Sequence, residues 1–489
     1  MTAPSVLEVP LPDGPRDRTS APVWSGVERR STEPLAELSR RFDDLCVRAV
    51  DPCEIAAGLE AAGFTDTAVA ARYGVPDVFA LAEHLFAATP RRLAGTRSRA
   101  TNPWRERPVR HLARGMAFGC PGIVYVAALP GATGPAERWL LVFALTLGWA
   151  VGQAAVFLGY LLDGRGDRAG ARAVLRAGLV VAVLAALALV ALCGGRVGPV
   201  TVGLAAGQVV YLPAAAVVLM LGHELLVLLA LVPGLVGAGL LLTARSSTSA
   251  AGAGPDTAVL VGAGGIAVSL LVVVAVAVWL TRRPRWRRPG GPSTADAWLA
   301  CWHGGYGVLA ATMVCLPAVL PTSAGAPASG TDGTWLLPLT WSMGVAEWLI
   351  LRFRRRAHDL LDEHGTPAGF AGGARRTLAA GAACYVVVLV VLTVAVPPVT
   401  GGDVGAVLRE PVLPAVGLLL GFGFYLALLG ISLGAVRRVV TALAGSVATG
   451  TAVAACWSAR EDVVVAPLAL AATLAVVMTA LVADPTRHR

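Results

Sequence analysis

Long apolar segments, separated by short polar stretches, fill the chain from residue 116 to residue 483. A membrane-spanning helix needs about 20 mostly apolar residues. Twelve windows meet this requirement, six on either side of an arginine-rich stretch. The predicted spans are 116–132, 139–162, 174–194, 199–221, 224–244, 257–280, 298–321, 334–351, 377–397, 411–433, 439–458 and 463–483. The pattern predicts an all-α integral membrane protein with about twelve transmembrane helices.

The two groups of six spans carry a faint internal duplication. The motif WAVGQA at residues 149–154 returns as WSMGVA at residues 341–346, and Gly-Ala-Arg at residues 170–172 returns at residues 373–375. An even number of spans gives both groups the same orientation, whereas inverted repeats need an odd number. We therefore expect two six-helix repeats of the same orientation, related by a pseudo-two-fold axis along the membrane normal.

Arginines mark alternate loops and indicate the orientation of the chain. The sequence contains no lysine, and arginine-bearing segments precede the first span and follow the second, sixth, eighth, tenth and twelfth spans. The intervening loops 245–256 and 322–333 are mostly Gly, Ser, Ala and Thr. Short cytoplasmic loops carry the positive excess. Both termini are therefore expected on the cytoplasmic side of the cell membrane.

Changes in composition divide the chain into segments. Residues 1–30 are polar and proline-rich, which is typical of disorder and unlike a signal peptide. The eight arginines between residues 91 and 114 are expected to contact anionic lipid headgroups. We predict a disordered N-terminus (1–33), a cytoplasmic helical domain (34–90), a basic juxtamembrane segment (91–114), a first six-helix half (115–280), a cytoplasmic basic linker (281–297), a second six-helix half (298–483) and a cytoplasmic tail (484–489).

Helix start and stop signals are dense in the N-terminal domain. Apolar residues follow helical spacing between residues 35 and 49, which predicts one helix there. Asp51 before a proline, Thr65 and Asp77 are each placed to cap a further helix, and Gly74 is placed to end one. The sequence therefore predicts a small domain of about four helices.

The charge of the N-terminal domain distinguishes nucleic-acid binding from protein docking. Residues 65–75 resemble a helix-turn-helix, so nucleic-acid binding has to be weighed. Residues 34–90 contain nine acidic side chains and four arginines, which is the wrong balance for phosphate contacts. We expect a packing or protein-docking domain with a cytoplasmic protein partner, and no nucleic acid.

Composition indicates an integral membrane protein, and the absence of catalytic motifs argues against an enzyme. The chain is 56% hydrophobic and 15% charged, whereas soluble domains are roughly 25% charged. Without lysine there is no GxxxxGK[ST] loop for a nucleotide, and the spans contain no HExxH motif. The eight cysteines form no CxxC pair and fit small buried side chains better than zinc ligands or disulfides. No catalytic residue, cofactor or metal is expected.

Ionisable side chains within spans are the first candidates for function, since burying one is costly. Glu347 lies in the eighth span, where the first half has Ala155. It is a candidate for binding a proton, a cation, or an amine or hydroxyl of a substrate. The alternative is a structural pairing with Arg352 and Arg354, little more than one turn away.

The seventh span contains a second candidate region. The stretch from His303 to Gly307 holds three glycines and Tyr306, and the corresponding first span is interrupted by two glycines and Pro121. Interrupted helices at matching places in two halves indicate a transport site. His303 and Tyr306 are therefore candidates for binding a substrate or ion. The alternative is that the glycines permit close helix packing and His303 bonds a neighbouring carbonyl.

Two glutamines and one turn complete the candidates. Gln153 and Gln208 could hydrogen-bond sugar hydroxyls from a cavity, although a buried glutamine more often bonds across a helix pair. His223 and Glu224 occupy a short turn between the fourth and fifth spans, and we expect a solvated role for both.

Two six-helix halves of one orientation, each with a bent first helix, resemble the superfamily of multidrug, oligosaccharide-lipid and polysaccharide exporters. The similarity covers residues from about 115 to 483 and is clearest around 149–190 and 424–453. In these regions an apolar helix, a short arginine loop and a second apolar helix follow one another. Flippases of this kind commonly carry basic residues in a central cavity. No arginine falls at mid-membrane here, which argues against a pyrophosphate-linked lipid substrate.

Two functional hypotheses follow. The first is an exporter or flippase of an amphipathic or glycan-lipid substrate, working by alternating access around a cavity near His303 and Glu347. A proton or ion gradient would drive it, because there is no nucleotide site. The second is a non-transporting membrane scaffold whose helical domain docks a partner in envelope assembly. A polar cavity favours transport, whereas an interior filled by Leu, Val and Ala favours the scaffold.

Overall fold

A computed structural model of the chain describes residues 32–49, 51–89, 108–128, 134–247, 255–282, 291–319, 334–364, 366–399, 404–457 and 460–488. The predicted disordered N-terminus before Thr32, residues 91–107 of the basic segment and residues 283–290 of the linker lie outside the described residues. The chain divides into two compact units, residues 1–102 and 103–489.

The N-terminal unit is helical in its described part. Its helices are α1 (Thr32–Arg41), α2 (Asp43–Arg48), α3 (Pro52–Ala61), α4 (Asp66–Tyr73) and α5 (Val78–Ala88). The predicted single helix between residues 35 and 49 is wrong, because the chain breaks at Phe42, whose ring packs edge-on against Phe64. One apolar core joins the helices, and its fully buried side chains include Ile55, Leu59, Val69 and Leu81.

The predicted helix caps of this unit are present. Asp51 accepts a hydrogen bond from the N–H of Cys53 at 2.8 Å, and this bond lowers the pKa of the Asp51 carboxyl. Thr65 Oγ1 accepts the N–H of Ala68 at 3.4 Å. Helix α4 ends at Gly74, whose φ of +72° is the left-handed conformation that favours glycine. Local sequence signals therefore define the ends of these short helices.

Two carboxylates hold the start of α5. Asp77 Oδ1 accepts the N–H of Ala80 at 2.7 Å. Asp66 Oδ1, in the first turn of α4, accepts the N–H of Val78 at 2.9 Å. These bonds satisfy N–H groups that have no partner within the helix. The second bond also ties α4 to α5.

Replacing Asp77 with alanine is expected to lower the free energy of unfolding of the N-terminal unit by about 1 kcal/mol, which is the usual contribution of an N-cap. Amide hydrogen exchange in the intact chain should become faster across Val78–Ala88. Asp77→Asn is the matched control, since asparagine caps helices as well as aspartate does. Equal acceleration in both variants would contradict the capping role.

Twelve long helices dominate the second unit. Its described helices are α6 (Pro108–Ala128), α7 (Pro135–Gly164), α8 (Arg168–Cys193), α9 (Pro199–Met220), α10 (Glu224–Ser247), α11 (Pro255–Thr281), α12 (Thr294–Val319), α13 (Leu337–Glu363), α14 (Pro367–Val399), the short α15 (Val404–Arg409), α16 (Val412–Ser432), α17 (Val436–Trp457) and α18 (Val465–Leu481). Ten are long and apolar enough to cross a membrane. The remaining long helices, α6 and α13, carry arginines and correspond to the first and eighth predicted spans. The predicted all-α bundle of about twelve helices is confirmed.

The two sets of six long helices pack in the same order. In the first half α6 packs on α10, α7 on α8 and α9, and α10 on α11. In the second half α12 packs on α17, α13 on α14 and α16, and α17 on α18. Between the halves, the first helix of each half packs on the second helix of the other half. Thus α6 packs on α13, and α12 packs on α7. Two equivalent contacts therefore join the halves, as a pseudo-two-fold axis requires.

One prediction about the first helices of the halves is wrong. Helix α6 begins at Pro108, so Arg110 and Arg114 lie on the same helix as the first predicted span. The predicted interruptions of α6 and α12 are absent. Pro121 lies within the continuous helix α6, and the three glycines from Gly304 to Gly307 lie within the continuous helix α12. Helices in membranes tolerate such residues where neighbouring helices pack closely.

Candidate functional site

Glycines bring the backbones of α6 and α13 together. A methyl group added at Gly115 would lie 2.8 Å from the backbone nitrogen of Gly344 and 2.9 Å from its Cα. A methyl group at Gly344 would overlap the carbonyl of His111, and one at Gly119 would overlap the indole of Trp341. Small residues at such positions allow membrane helices to approach closely. Larger side chains here would force the halves apart.

Helix α12 meets α7 in the same way. A methyl group added at Gly307 would lie 2.9 Å from backbone atoms of Trp149 and Ala150. One turn earlier, the ring of His303 stacks on Phe157, with centroids 4.0 Å apart and an angle of 14° between the planes. The geometry therefore supports close packing, the second interpretation of the glycine stretch.

The 192-residue offset between the tryptophan motifs also separates the glycines of the α6–α13 contact and the α12–α7 contact. Trp149 and Trp341 are 192 residues apart, and so are Gly115 and Gly307. Gly115 faces the backbone near Trp341, while Gly307 faces the backbone of Trp149. Because the two glycines have the same role, the duplication extends to residues that the motifs do not include.

Charged side chains gather beside the contact between α6 and α13. Arg110 Nε donates to Glu224 Oε1 at 2.8 Å, and Arg114 Nε lies 3.1 Å from the same oxygen. Arg114 also reaches the second half, with Nη1 3.4 Å from Glu347 Oε2. His111 Nδ1 lies 3.4 Å from that oxygen too. The side chains of His111 and Glu224 are 3% and 8% exposed, so much of this cluster is shielded from water.

A second ion pair joins the halves beside the contact between α12 and α7. Arg165, directly after α7, makes two parallel bonds to the carboxylate of Asp296 in the first turn of α12, at 2.7 and 2.8 Å. Asp296 also accepts the N–H of Ser293 at 2.9 Å. Bidentate arginine pairs of this kind are well oriented and comparatively strong.

Both cross-half ion pairs lie at one end of the bundle. Helices α6 and α12 begin at this end and α7 and α13 finish there, beside the arginine-bearing loops, so we name it the arginine-rich end. The first half supplies the bases, Arg114 and Arg165. The second half supplies the acids, Glu347 and Asp296. Attraction between these charges falls as their separation grows. The pairs therefore hold the halves together at this end.

Two expectations about acidic residues are corrected by this cluster. Glu347 pairs with α6 of the other half, and not with the arginines of its own helix, where Arg352 instead lies over the ring of Trp348. Glu224 is not solvated as expected, because its carboxylate is buried between two arginines. Its turn neighbour His223 is exposed.

The other sequence candidates do not gather around Glu347. His303 belongs to the contact between α12 and α7, and Gln153 lies on α7. Tyr306 is 3% exposed, in the core of the second half. Gln208 lies on α9 in the first half, and within the described residues its side-chain oxygen is buried without a hydrogen-bond donor. The binding roles of these residues stay predictions.

Sequence reasoning missed three members of the interface, namely His111, Arg165 and Asp296. One of them had a signal, since His111 precedes His303 by the same 192 residues that separate the tryptophan motifs. Arg165 follows the second predicted span, where the sequence pattern marks it only as one of the arginines that indicate orientation. Arg114 and Arg165 are each more than 100 residues away in sequence from the carboxylate that they pair with. Local sequence patterns do not connect residues at such separations.

The surface cavities lined by described residues include the following two. One of about 350 Å³ lies beside the turn between α16 and α17, and one of about 580 Å³ lies between the start of α7 and the end of α8. Neither is lined by His303, Glu347 or Gln153, which the sequence analysis placed around a central cavity. At the arginine-rich end the two ion pairs span the interface between the halves.

The duplicated helix packing and the exchanged contacts between halves define a multi-pass α-helical membrane protein. No protein-family model and no curated protein matches the sequence. Three solved structures are similar in fold. A crystal structure of MATE in complex with MaL6 shares 12% identity, covers 79% of this chain and 99% of its own, and has a TM-score of 0.49.

Two further structures are also of MATE proteins. An inward-facing multidrug resistance MATE family transporter of the MOP superfamily shares 14% identity, with coverage of 77% and 99% and a TM-score of 0.41. A MATE in the bent conformation shares 13% identity, with coverage of 76% and 94% and a TM-score of 0.43. At identities this low the likeness concerns the fold alone.

Proposed function

We propose that this chain is a membrane transporter whose two halves separate and rejoin at the arginine-rich end. The observation that carries the proposal is the pair of ion contacts across the halves, Arg114 with Glu347 and Arg165 with Asp296. Each contact joins side chains across helices that meet through glycine. Separation at this end would break charge contacts while leaving every helix intact.

The chemistry of the contacts suits an interface that opens. Replacing buried ion pairs with packed apolar side chains is often neutral or stabilising, so a permanent contact has little need of them. Charges that separate into water regain hydration, whereas separated apolar surfaces do not. An interface closed by charges can therefore reopen at a lower cost than one closed by leucines. Rigid-body movement of packed halves is a common form of such a transition.

The substrate and driving force are proposed from chemistry that the sequence allows. An amphipathic or glycan-lipid substrate suits a bundle that lies in lipid, and export or flipping would serve envelope or polysaccharide assembly. A proton or ion gradient is the proposed energy source, since the sequence lacks a nucleotide loop. Glu347 and His111 are two titratable groups 3.4 Å apart at the interface. His303, Tyr306, Gln153 and Gln208 remain candidates for substrate contacts.

The orientation is also proposed. Short arginine-bearing loops follow the positive-inside rule if the arginine-rich end faces the cytoplasm. Both termini then lie on the cytoplasmic side of the cell membrane, as does the N-terminal unit. Opening of the ion contacts would expose the interface to the cytoplasm.

The rival function, a membrane scaffold, is supported by the N-terminal unit. This unit has a core of its own and capped helices, and its acidic residues outnumber its arginines by nine to four between residues 34 and 90. Such a surface fits a basic protein partner. If the purified chain moves no amphipathic probe across a bilayer, the scaffold function, with docking through this unit, is favoured over transport.

Transport can be tested by locking the arginine-rich end. Arg165→Cys with Asp296→Cys places two thiols across the halves, and a short bismaleimide would join them. Proteoliposomes of a variant otherwise free of cysteine would report transbilayer movement of fluorescent phosphatidylglycerol and of ethidium. Cross-linking is expected to abolish movement of the probe that wild type transports, because the halves could no longer separate.

The matched control is a cross-link within one half. Arg168 and Asp163 lie 3.9 Å apart at the same end, and both belong to the first half. Cross-linking Arg168→Cys to Asp163→Cys should leave transport intact. Equal inhibition by the two cross-links would contradict opening between the halves, and no movement of either probe by wild type would contradict transport itself.

A further inference from the structure

The turns that join α9 to α10 and α16 to α17 are equivalent in the two halves. Each contains a glycine with positive φ, Gly222 at +82° and Gly434 at +73°, and these are 212 residues apart. Glycine adopts this conformation without steric cost. Each turn leads into the first residue of the next helix, which is Glu224 in the first half and Val436 in the second, again 212 residues apart. The two turns can therefore be compared position by position.

In the first half this position carries a built-in anion. The Glu224 carboxylate lies between Arg110 and Arg114, at 2.8 and 3.1 Å, in the first turn of α10. A negative charge is favoured at a helix N-terminus, where the backbone N–H groups point outward. The arginines and the helix end are thus neutralised by the chain itself.

In the second half Val436 supplies no anion, although arginines are again present. A cavity of about 350 Å³ lies at the turn, lined by Arg437, Arg438, Arg487 and the start of α17. Asp484 Oδ2 lies 3.5 Å from Arg487 Nε. Hydrogen bonds from Thr486 lower the pKa of the Asp484 carboxyl, so it is ionised. Among the described residues that line the cavity are three arginines, and Asp484 is paired with one of them.

Tryptophans place the cavity at the level of lipid headgroups. The Arg437 guanidinium lies over the ring of Trp302, 5.9 Å from its centroid. Trp302 packs edge-on against Trp298, which is 58% exposed, and Leu299 of the same helix lines the cavity. Tryptophan side chains concentrate where the membrane meets water. A ligand in this cavity would therefore be at headgroup depth.

We propose that this cavity binds a phosphate group, beside the turn that corresponds to the Glu224 turn of the first half. Arginine guanidinium groups and helix N-terminal N–H groups are the donors that bind phosphate in proteins. The group is the headgroup of an anionic phospholipid or a free phosphate ester. Either source would bring the negative charge that the second half lacks, and neither depends on whether the chain transports.

Binding can be measured on the purified full-length chain in neutral detergent. Native mass spectrometry would count bound phosphatidylglycerol during a titration, and a parallel titration would use inorganic phosphate. Arg437→Gln with Arg438→Gln is expected to weaken binding about 30-fold, since each arginine near a lipid surface contributes about fivefold. Arg375→Gln with Arg376→Gln is the matched control, because these are adjacent exposed arginines of α14 at the same end. The control pair should change affinity less than twofold.

A second variant tests the site without removing an arginine. Val436→Glu places a carboxylate at the residue that corresponds to Glu224, and it should abolish phosphate binding. Thermal melting would verify that each variant is folded. Binding of phosphatidylglycerol alone would assign the site to a lipid headgroup, and binding of inorganic phosphate as well would assign it to a free phosphate ester. Absence of binding to wild type, or equal loss in the Arg375 and Arg376 control, would overturn the proposal.

Discussion

Glu347→Gln is expected to shift the second unit about tenfold toward a state that is open at the arginine-rich end. Glutamine keeps the size of the side chain but removes the charge that attracts Arg114 of the other half. These two side chains are 30% and 20% exposed. Their pair therefore falls between exposed ion pairs, worth about 0 to 1 kcal/mol, and buried ones, whose disruption costs about 3 to 5 kcal/mol. A loss of about 1.4 kcal/mol corresponds to a tenfold change in population.

Spin labels at equivalent positions of the two halves would measure this opening. Arg172 near the start of α8 and Arg375 near the start of α14 are both exposed and belong to the repeated Gly-Ala-Arg motif. In a chain whose native cysteines have been replaced, pulsed electron paramagnetic resonance would give the distance distribution between labels at these positions. Glu347→Gln should add a population at longer distance.

Glu363→Gln is the matched control for the loss of an ion pair on α13. Glu363 bonds Arg356 of the same helix at 2.6 Å, so its loss touches no contact between the halves. The distance distribution should stay as in wild type. Adding Asp296→Asn to Glu347→Gln should open the end further, because the two ion pairs have no residue in common. A distribution unchanged in Glu347→Gln, or altered equally in Glu363→Gln, would remove the ion pairs from the mechanism.

The helices and their duplication could be predicted because lipid imposes strong local rules. A spanning segment must satisfy its backbone internally and stay apolar for about 20 residues, so its pattern is visible in sequence. The caps at Asp51, Thr65 and Asp77 were equally local, since each side chain bonds an N–H two or three residues later. Local signals also explain the one failure in this unit. Apolar residues keep helical spacing through Phe42, so the sequence predicts one helix. In the structure the helix breaks at Phe42, whose ring packs against Phe64.

The partners at the interface could not be predicted in the same way. Arg114 and Glu347 are separated by 233 residues, and Arg165 and Asp296 by 131. Their pairing depends on how α6 meets α13 and α12 meets α7, which no periodicity reveals. Glu224 was misjudged for the same reason. A turn of this length normally lies in solvent, but two arginines from α6 cover this one.

The glycine stretch shows a different limit of sequence reasoning. Glycine within a membrane helix is compatible with both unwinding and close packing. Only the neighbouring backbone decides between them, and at Gly307 the backbone of Trp149 leaves no room for a side chain. Unwinding would separate the same surfaces that the ion pairs hold together. The glycines and the ion pairs therefore belong to one interface, and each can be tested without altering the other.

Gly115→Ala and Gly307→Ala are each expected to destabilise the contact between the halves by about 2 kcal/mol, within the usual range for overpacking a tight contact. The added methyl group would lie 2.8 Å from the backbone of Gly344 in one variant and 2.9 Å from that of Trp149 in the other. Backbone cannot rotate away as a flexible side chain can, so the helices must separate. Thermal melting temperatures of the purified chain should fall in both variants. The double variant should show the sum, because the contacts are distinct.

Gly203→Ala and Gly264→Ala provide the controls. Both glycines lie within helices of the first half, and a methyl group added at either would meet no atom within 4 Å. Alanine favours helix over glycine by about 1 kcal/mol, so these variants should be neutral or slightly stabilised. Melting temperatures that fall equally in all four variants would show that glycine is needed for reasons other than the contact between halves. A fall limited to Gly115→Ala and Gly307→Ala, and equal in the two, would show that both contacts are close-packed and that the duplicated halves use them equivalently.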